Sequence, residues 1–145
     1  MKTVRDLLRV KGNQVWSIEP DVSVYEALTL MAEKDIGALV VLDSASQLAG
    51  ILSERDYARK IVLKGKTSRE TAVREIMTEK VVYVRTDQTI EDCMALMTNK
   101  RIRHLPVLEE GRLLGVISIG DVVKDIISEQ EFIIGQLENY ITGKR

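Results

Sequence analysis

Two serine–aspartate pairs with the same spacing are the residues best suited to do chemistry in this chain. Asp56 follows Ser53 by three positions, and Asp121 follows Ser118 by three. Each pair comes after an apolar segment and before a helical pattern, which predicts a strand-to-helix turn. One interpretation is a capping box, in which serine and aspartate bond each other's backbone N–H groups. The other is a binding site, in which the carboxylate accepts two ribose hydroxyls and the serine faces a phosphate.

Both pairs lie at the end of a longer pattern that occurs twice. The matching blocks are 4–8 with 73–77, 23–27 with 89–93, 36–41 with 102–107 and 50–56 with 115–121. Two copies of this period are too few and too long for a solenoid, so we interpret them as a duplicated unit whose halves pack together. The residues inside the two pairs differ, Glu54-Arg55 against Ile119-Gly120, which suits sites with different ligands.

The local signals predict the same order of elements, β-α-β-β-α, in each copy. Short strands are expected at 15–18 and 82–85, capped helices from 24 and 90, hairpins over 39–52 and 105–117, and a helix after each aspartate. Pro106 indicates an edge position or a strand end. Cys93 falls on the apolar helix face and is interpreted as a core residue.

The last predicted helix continues beyond what the repeat requires. Its apolar positions are Ile126, Ile127, Ile133, Ile134, Leu137 and Ile141. Packing on the parent domain and an intermolecular helix contact both explain this face. The second explanation predicts a dimer.

Bulk composition excludes several classes of protein. The 145 residues carry a net charge of -1, which argues against a general nucleic-acid binder. The single cysteine excludes an internal disulfide framework and fits a reducing cytoplasm. No apolar run approaches the roughly 20 residues needed to span a bilayer, so no membrane insertion is expected. With one histidine and no paired metal-ligand spacing, a zinc site or a histidine triad has little support.

A basic pair, Arg103-His104, precedes the second strand of copy two, where copy one has Gly37-Ala38. The pair is either a solvated surface feature or a phosphate contact. Arginine can donate two parallel hydrogen bonds to one phosphate, and protonated histidine can donate a further one. Lys80, Arg85 and Arg55 would add positive charge nearby.

These blocks together resemble a pair of CBS domains, also called a Bateman module. The residues that carry the resemblance are Ile76-Met77-Thr78, Arg103-His104-Leu105-Pro106-Val107, and the blocks 50–56 and 115–121. The resemblance covers nearly the whole chain and implies an α/β (α+β) fold of two β-α-β-β-α repeats with pseudo-twofold symmetry. We predict repeats at 1–65 and 72–130, a linker at 66–71 and a helical extension at 131–145.

The resemblance also implies two clefts between the copies that bind adenosine-containing ligands. The first would use Asp121, Ser118, Gly120, Arg103 and His104, with Pro106 on the same strand, and Ile18, Pro20, Ile36, Gly37 and Ala38 lining the base. The second would use Asp56, Ser53, Arg55, Met77, Thr78, Lys80, Thr86 and Ile102. AMP is the expected ligand among the adenine nucleotides AMP, ADP and ATP. Because Gly37-Ala38 lack charge, NAD or S-adenosylmethionine is possible in the second cleft.

Such modules regulate other proteins, commonly pair into disc-shaped dimers and are not catalysts themselves. The sequence therefore predicts a cytoplasmic regulatory homodimer that senses nucleotide and signals to an unknown protein. One alternative is an interaction subunit whose clefts stay empty. Another is a nucleotide-processing enzyme, although no general base with a nucleophile is evident.

Overall fold

The computed structural model describes residues 2–12 and 14–142, which form an α+β fold. The elements of the first copy are α1 (Val4–Lys11), β1 (Ser17–Ile18), α2 (Val24–Lys34), β2 (Ala38–Leu42), β3 (Leu48–Ser53) and α3 (Glu54–Tyr57), which continues as a π-helical turn over Ala58–Val62. Those of the second are α4 (Val73–Ile76), α5 (Ile90–Lys100), β4 (His104–Glu109), β5 (Arg112–Ser118) and α6 (Ile119–Thr142).

The two sheets have the same hairpin but differ in their third strand. β2 pairs antiparallel with β3 and parallel with β1, whereas β5 is the one strand that pairs with β4 within residues 2–12 and 14–142. The strand predicted over 82–85 is reduced to a single bridge between Val84 and Val107, and that over 15–18 to Ser17–Ile18.

Pro106 explains the missing strand. Val84 donates its N–H to the Pro106 carbonyl at 3.0 Å and accepts from Leu108 N–H at 2.9 Å. The next rung of a parallel ladder, toward residue 82, needs an N–H at position 106, which proline lacks. Pro106 is buried in the interior of β4 rather than at its end, but it does end the pairing with the preceding segment.

The short helices α1 and α4, absent from the predicted β-α-β-β-α order, are exchanged between the copies. The second core contains Val4, Leu7 and Leu8 of α1 beside Val84, Ile90, Cys93, Met97, Leu105, Val107, Ile117 and Val122. The first core contains Val73 and Ile76 of α4 beside Val24, Ala27, Met31, Leu39, Val41, Leu52 and Ile61. Equivalent bridges, Thr3 with Thr89 and Ser23 with Ala72, fix the exchange. Each core therefore needs a helix that the repeat pattern assigns to the other copy.

Cys93 lies in the second core, as predicted. Its side chain is fully buried, and burial raises the pKa of the thiol to about 11, with the nearby Asp92 charge acting in the same direction. A thiol that stays protonated at neutral pH is a poor nucleophile, which agrees with a packing role.

Helix α6 runs without interruption from the end of β5 to Thr142, confirming the predicted continuation as far as the described residues reach. Only its first turns pack on the second core, through Val122 and Ile126. Ile127, Ile133, Ile134, Leu137 and Ile141 are each about half exposed or more, so packing within the chain does not account for them. Over residues 2–12 and 14–142, no helix combines the length and apolarity needed to cross a membrane.

Candidate ligand-binding cleft

Both serine–aspartate pairs form the predicted capping boxes. Asp56 N–H donates to Ser53 Oγ at 3.2 Å, and Ser53 N–H donates to Asp56 Oδ2 at 3.0 Å. The equivalent distances for Asp121 and Ser118 are 3.1 and 2.8 Å. Both pairs thus cap a helix, and they differ in the other contacts that each carboxylate makes.

Neighbouring groups of the protein occupy both oxygens of the Asp56 carboxylate. Oδ2 also accepts from Ser53 Oγ at 3.2 Å, while Oδ1 lies 3.2 Å from Lys60 Nζ and 3.4 Å from Thr78 Oγ1. Asp56 is only 8% exposed. Its charge is therefore neutralised and its hydrogen-bonding capacity is largely filled by neighbouring side chains.

Asp121 instead faces an open cleft of about 450 Å³ between the two copies. Its Oδ2 accepts from Ser118 N–H and from Lys11 Nζ, but Oδ1 accepts no hydrogen bond from the part of the chain that the structure describes. The cleft is lined by Lys11, Gln14, Val15, Trp16, Asp35, Ile36, Gly37, Ala38, Leu39, Val40, Ile51, His104, Val116, Ser118 and Asp121. A largely apolar wall with a few convergent polar groups is typical of small-molecule sites.

Lys11, the last residue of α1, reaches into this cleft. Its ammonium lies 2.5 Å from Asp121 Oδ2 and also donates to the Val116 carbonyl. Burial raises the pKa of the Asp121 carboxyl, but the hydrogen bonds from Lys11 and from Ser118 outweigh this, and the pKa lies below its ordinary value. The carboxylate is therefore ionised at neutral pH.

His104 stands on the same side of the cleft, at the start of β4. Burial lowers the pKa of its imidazole, and the positive charges of Lys11 and Arg103 lower it further against the opposing effect of Asp121. His104 is therefore neutral at pH 7. An incoming anion would favour the protonated, donating form.

Comparison with known proteins identifies the architecture. The family model described as CBS domain matches residues 4–63 and again 73–128. The chain belongs to the CBS domain family. It is 39% identical to a mitochondrial CBS domain-containing protein of Arabidopsis thaliana, CBSX3, over 97% of this chain and 72% of that protein. Its tandem CBS domains confirm the predicted family and the α+β fold.

Two solved structures agree with this assignment. The CBS domain protein NE2398 is 52% identical with a TM-score of 0.83, covering 87% of this chain and 98% of its own. A protein with CBS domains from Burkholderia ambifaria MC40-6 is 50% identical with a TM-score of 0.85, covering 89% and 96%. The cytoplasmic location predicted from the sequence stays a prediction, since the Arabidopsis relative is named as mitochondrial.

Within this CBS pair, the structure brings together part of the set predicted for the first cleft. Asp121, Ser118, His104, Ile36, Gly37 and Ala38 all line the open cleft. The other five do not line it: Gly120 and the Arg103 side chain are exposed, Ile18 packs on the first core, Pro106 is buried within β4, and the Pro20 carbonyl accepts from Arg74 N–H at 2.9 Å. The two copies meet at this cleft, since a Cβ on Gly37 of the first copy would lie 3.6 Å from His104 Cε1 of the second.

The residues predicted for the second cleft lie around a packed interior instead. Thr78 exchanges two backbone bonds with Ile51, at 3.0 and 2.9 Å, so the segment after α4 lies along β3. A Cβ on Gly50 would stand 2.8 Å from the Thr78 carbonyl oxygen and 2.9 Å from Met77 Sδ. Because Met77 and Thr78 pack this closely against β3, they stand between Asp56 and Ser53 and a ligand.

The remaining members of that set are dispersed. Arg55 donates to the Arg101 carbonyl at 2.6 Å, Lys80 is exposed, and Ile102 packs on the second core. Thr86 is buried, bonds Arg5 and Glu109, and lines a separate surface depression with Arg5, Leu8, Arg9, Gly12 and Leu114. Thr86 therefore does not share a site with Asp56.

The residues that α1 and its following loop bring to the open cleft were not predicted from the sequence. Lys11, Gln14, Val15 and Trp16 all come from this segment. One signal was present: the chain's single tryptophan comes directly before β1, where an aromatic face can stack on a base. Lys11 gave no such signal, because its position depends on the exchange of α1 to the second core.

Proposed function

We propose that this CBS pair binds an adenine nucleotide, with AMP the expected ligand, in the open cleft and thereby regulates a partner protein. The observation that carries the proposal is the Asp121 carboxylate, which is ionised and half-buried. Its Oδ1 accepts no hydrogen bond from the described residues, and it faces the other copy across a cleft of about 450 Å³. A carboxylate in this position suits the two vicinal hydroxyls of a ribose.

The other residues of the cleft fit the remaining parts of a nucleotide. Ile36, Val116 and the Trp16 ring offer apolar surface for a base. Lys11 and His104 offer a positive charge and a potential donor for a phosphate. Because Asp56 is enclosed, we expect one nucleotide per chain; NAD or S-adenosylmethionine at the Asp56 position would require Met77 and Thr78 to move.

Calorimetric titration with AMP, ADP, ATP, NAD and S-adenosylmethionine tests this function directly. We expect AMP to bind with a stoichiometry near one per chain. A parallel assay for turnover of each compound distinguishes a sensor from an enzyme, and we expect no turnover. Absence of heat and of any thermal shift with all five compounds at millimolar concentration would leave the CBS pair as an interaction subunit with an empty cleft.

Helix α6 connects the ligand-binding cleft to the rest of the molecule. Asp121 lies in the first turn of this helix, and the same helix packs on the second core through Val122. A ligand that bridges the two copies favours one relative orientation, and the orientation of α6 follows it. We therefore propose α6 as the element that presents the bound state to a partner.

We further propose that α6 holds two chains together as a homodimer. Val123, Ile127, Ile134, Leu137 and Ile141 form one stripe along α6, between 41% and 81% exposed. Their separations of 4, 7, 3 and 4 positions are those of a single helix face. The stripe is about 27 Å long, a contact length suited to a paired helix.

We expect the double variant Ile134→Asp with Leu137→Asp to be monomeric while the wild-type chain is a dimer. In a dimer, the two new carboxylates on the stripe would lose their water without gaining a positively charged partner. This desolvation costs more free energy than burial of the stripe contributes. Light scattering at tens of micromolar measures the mass with and without AMP. Leu63→Asp, an equally drastic change at an exposed residue away from α6, is the control and should stay dimeric. A monomeric wild-type chain under both conditions would contradict the proposal.

A further inference from the structure

The segment that contains α1 is attached to α6 by two lysines. Lys2 Nζ lies 2.8 Å from Asp125 Oδ1, and Lys11 Nζ lies 2.5 Å from Asp121 Oδ2. Asp121 and Asp125 are four positions apart and share one face of α6. The two ion pairs are alike in chemistry, but only that of Lys11 lies in the open cleft.

Lys11 occupies the carboxylate that the proposed nucleotide would use. Its ammonium is held by Asp121 and by the Val116 carbonyl, with its side chain 31% exposed. A ribose that bonds Asp121 has to share or replace this interaction. An ammonium that loses its counter-charge in a partly buried cleft is costly unless another anion replaces it.

The other charges of the cleft do not provide that anion. His104 is neutral or positive, and Ser118 is already bonded to Asp121. Asp35 lines the cleft as an exposed residue at the C-terminal end of α2, and Lys11 has no ion pair with it among the described residues. The missing negative charge has to come from the ligand.

We propose that Lys11 is a specificity-determining residue that restricts the open cleft to adenosine ligands carrying a phosphate. This inference rests on the proposed nucleotide function and adds the class of ligand to it. When the ribose displaces the Lys11 ammonium from Asp121, a phosphate on the same ligand accepts hydrogen bonds from that ammonium. The ion pair of Lys11 is therefore exchanged for another rather than broken. Adenosine supplies no such acceptor, and S-adenosylmethionine adds a positive charge beside Lys11.

The test compares AMP with adenosine in the wild-type chain, in Lys11→Met and in Lys11→Arg, by calorimetric titration. In the wild type we expect AMP to bind at least about ten-fold more tightly than adenosine. In Lys11→Met the affinity for AMP should fall by about ten-fold to a hundred-fold. The affinity for adenosine should rise in the same variant, because Asp121 has lost its internal competitor. Lys11→Arg, which keeps the charge, should keep the preference for AMP.

Lys2→Met is the matched control, because it removes the equivalent ion pair to Asp125 outside the cleft. It should leave the AMP-to-adenosine ratio unchanged, and thermal melts show whether each variant is folded. If Lys11→Met weakens both ligands equally, or if Lys2→Met changes the ratio as much, Lys11 is only a structural contact and the inference is overturned. If the wild type binds neither compound, the proposed function itself fails, which is a separate result.

Discussion

Replacing Asp121 with asparagine is expected to lower the affinity for AMP by about ten-fold to a hundred-fold while costing little stability. Asparagine keeps an oxygen that can accept the Ser118 N–H, now 2.8 Å from Oδ2, so the cap of α6 is largely retained. The change removes the negative charge and places an amide where a ribose hydroxyl has to donate. We expect a stability loss of no more than about 1 kcal/mol, the usual scale of a lost cap.

Asp56→Asn is the matched control for this experiment, because Asp56 occupies the same place in the other copy. Its own side chain is largely buried, and its charge is paired with Lys60. The control should therefore lower the melting midpoint more than Asp121→Asn does and leave AMP binding at the open cleft intact. Titration of both variants, beside denaturant melts, separates the two roles. An unchanged AMP affinity in Asp121→Asn with a lowered midpoint would show that this aspartate only caps a helix.

The second large effect is expected from Gly50→Ala, compared with Gly115→Ala at the equivalent position. A Cβ at Gly50 meets a backbone carbonyl, that of Thr78, at 2.8 Å, and the bridge between Ile51 and Thr78 must shift to admit it. A Cβ at Gly115 meets the end of the buried Leu8 side chain at the same distance, and a side-chain end shifts at less cost than a backbone carbonyl. We expect Gly50→Ala to lower the free energy of unfolding by about 1–3 kcal/mol.

Gly115→Ala should be close to neutral, since alanine is favoured over glycine in a strand by roughly 0.5–1 kcal/mol and this offsets the repacking of Leu8. Urea denaturation of the two variants and the wild type measures the difference. Equal losses in both variants would contradict the distinction between backbone and side-chain neighbours. A stable Gly50→Ala chain would mean that the segment after α4 moves readily, and the region around Asp56 would then be open to ligands.

The repeat pattern predicted the equivalence of Asp56 and Asp121 but not their different surroundings. The capping geometry of both follows from three residues of local sequence, which is why it could be predicted. Whether a carboxylate remains available depends on its other neighbours. Lys60, four positions after Asp56, pairs with that carboxylate, and Met77 and Thr78 pack against β3 beside it, whereas the loop after Lys11 lines an open cleft at Asp121. The repeat pattern carries no signal of the contacts that come from distant segments.

Differences in spacing contain part of the missing information. Lys11 precedes Ile18 by seven positions, while its counterpart Lys80 precedes Val84 by four. The longer connection lets Gln14 to Trp16 line the cleft, whereas the shorter one keeps Met77 and Thr78 against β3. Likewise, proline at 106 has a predictable consequence for hydrogen bonding: of the two positions predicted for it, the edge position is confirmed and the strand end is not. Length differences between repeats thus predict where the two halves differ, though not which one stays open.

The exchange of α1 and α4 has a consequence for how the chain can fold and be divided. Val4, Leu7 and Leu8 lie against residues some eighty positions or more away, while α4 does the reverse for the first core. A fragment ending near residue 65 would contain a helix without its core and a core without its helix. The two CBS copies therefore have to fold in one cooperative transition. A protease that cuts the exposed stretch near residues 64–67 would leave two fragments that remain associated, because each completes the other.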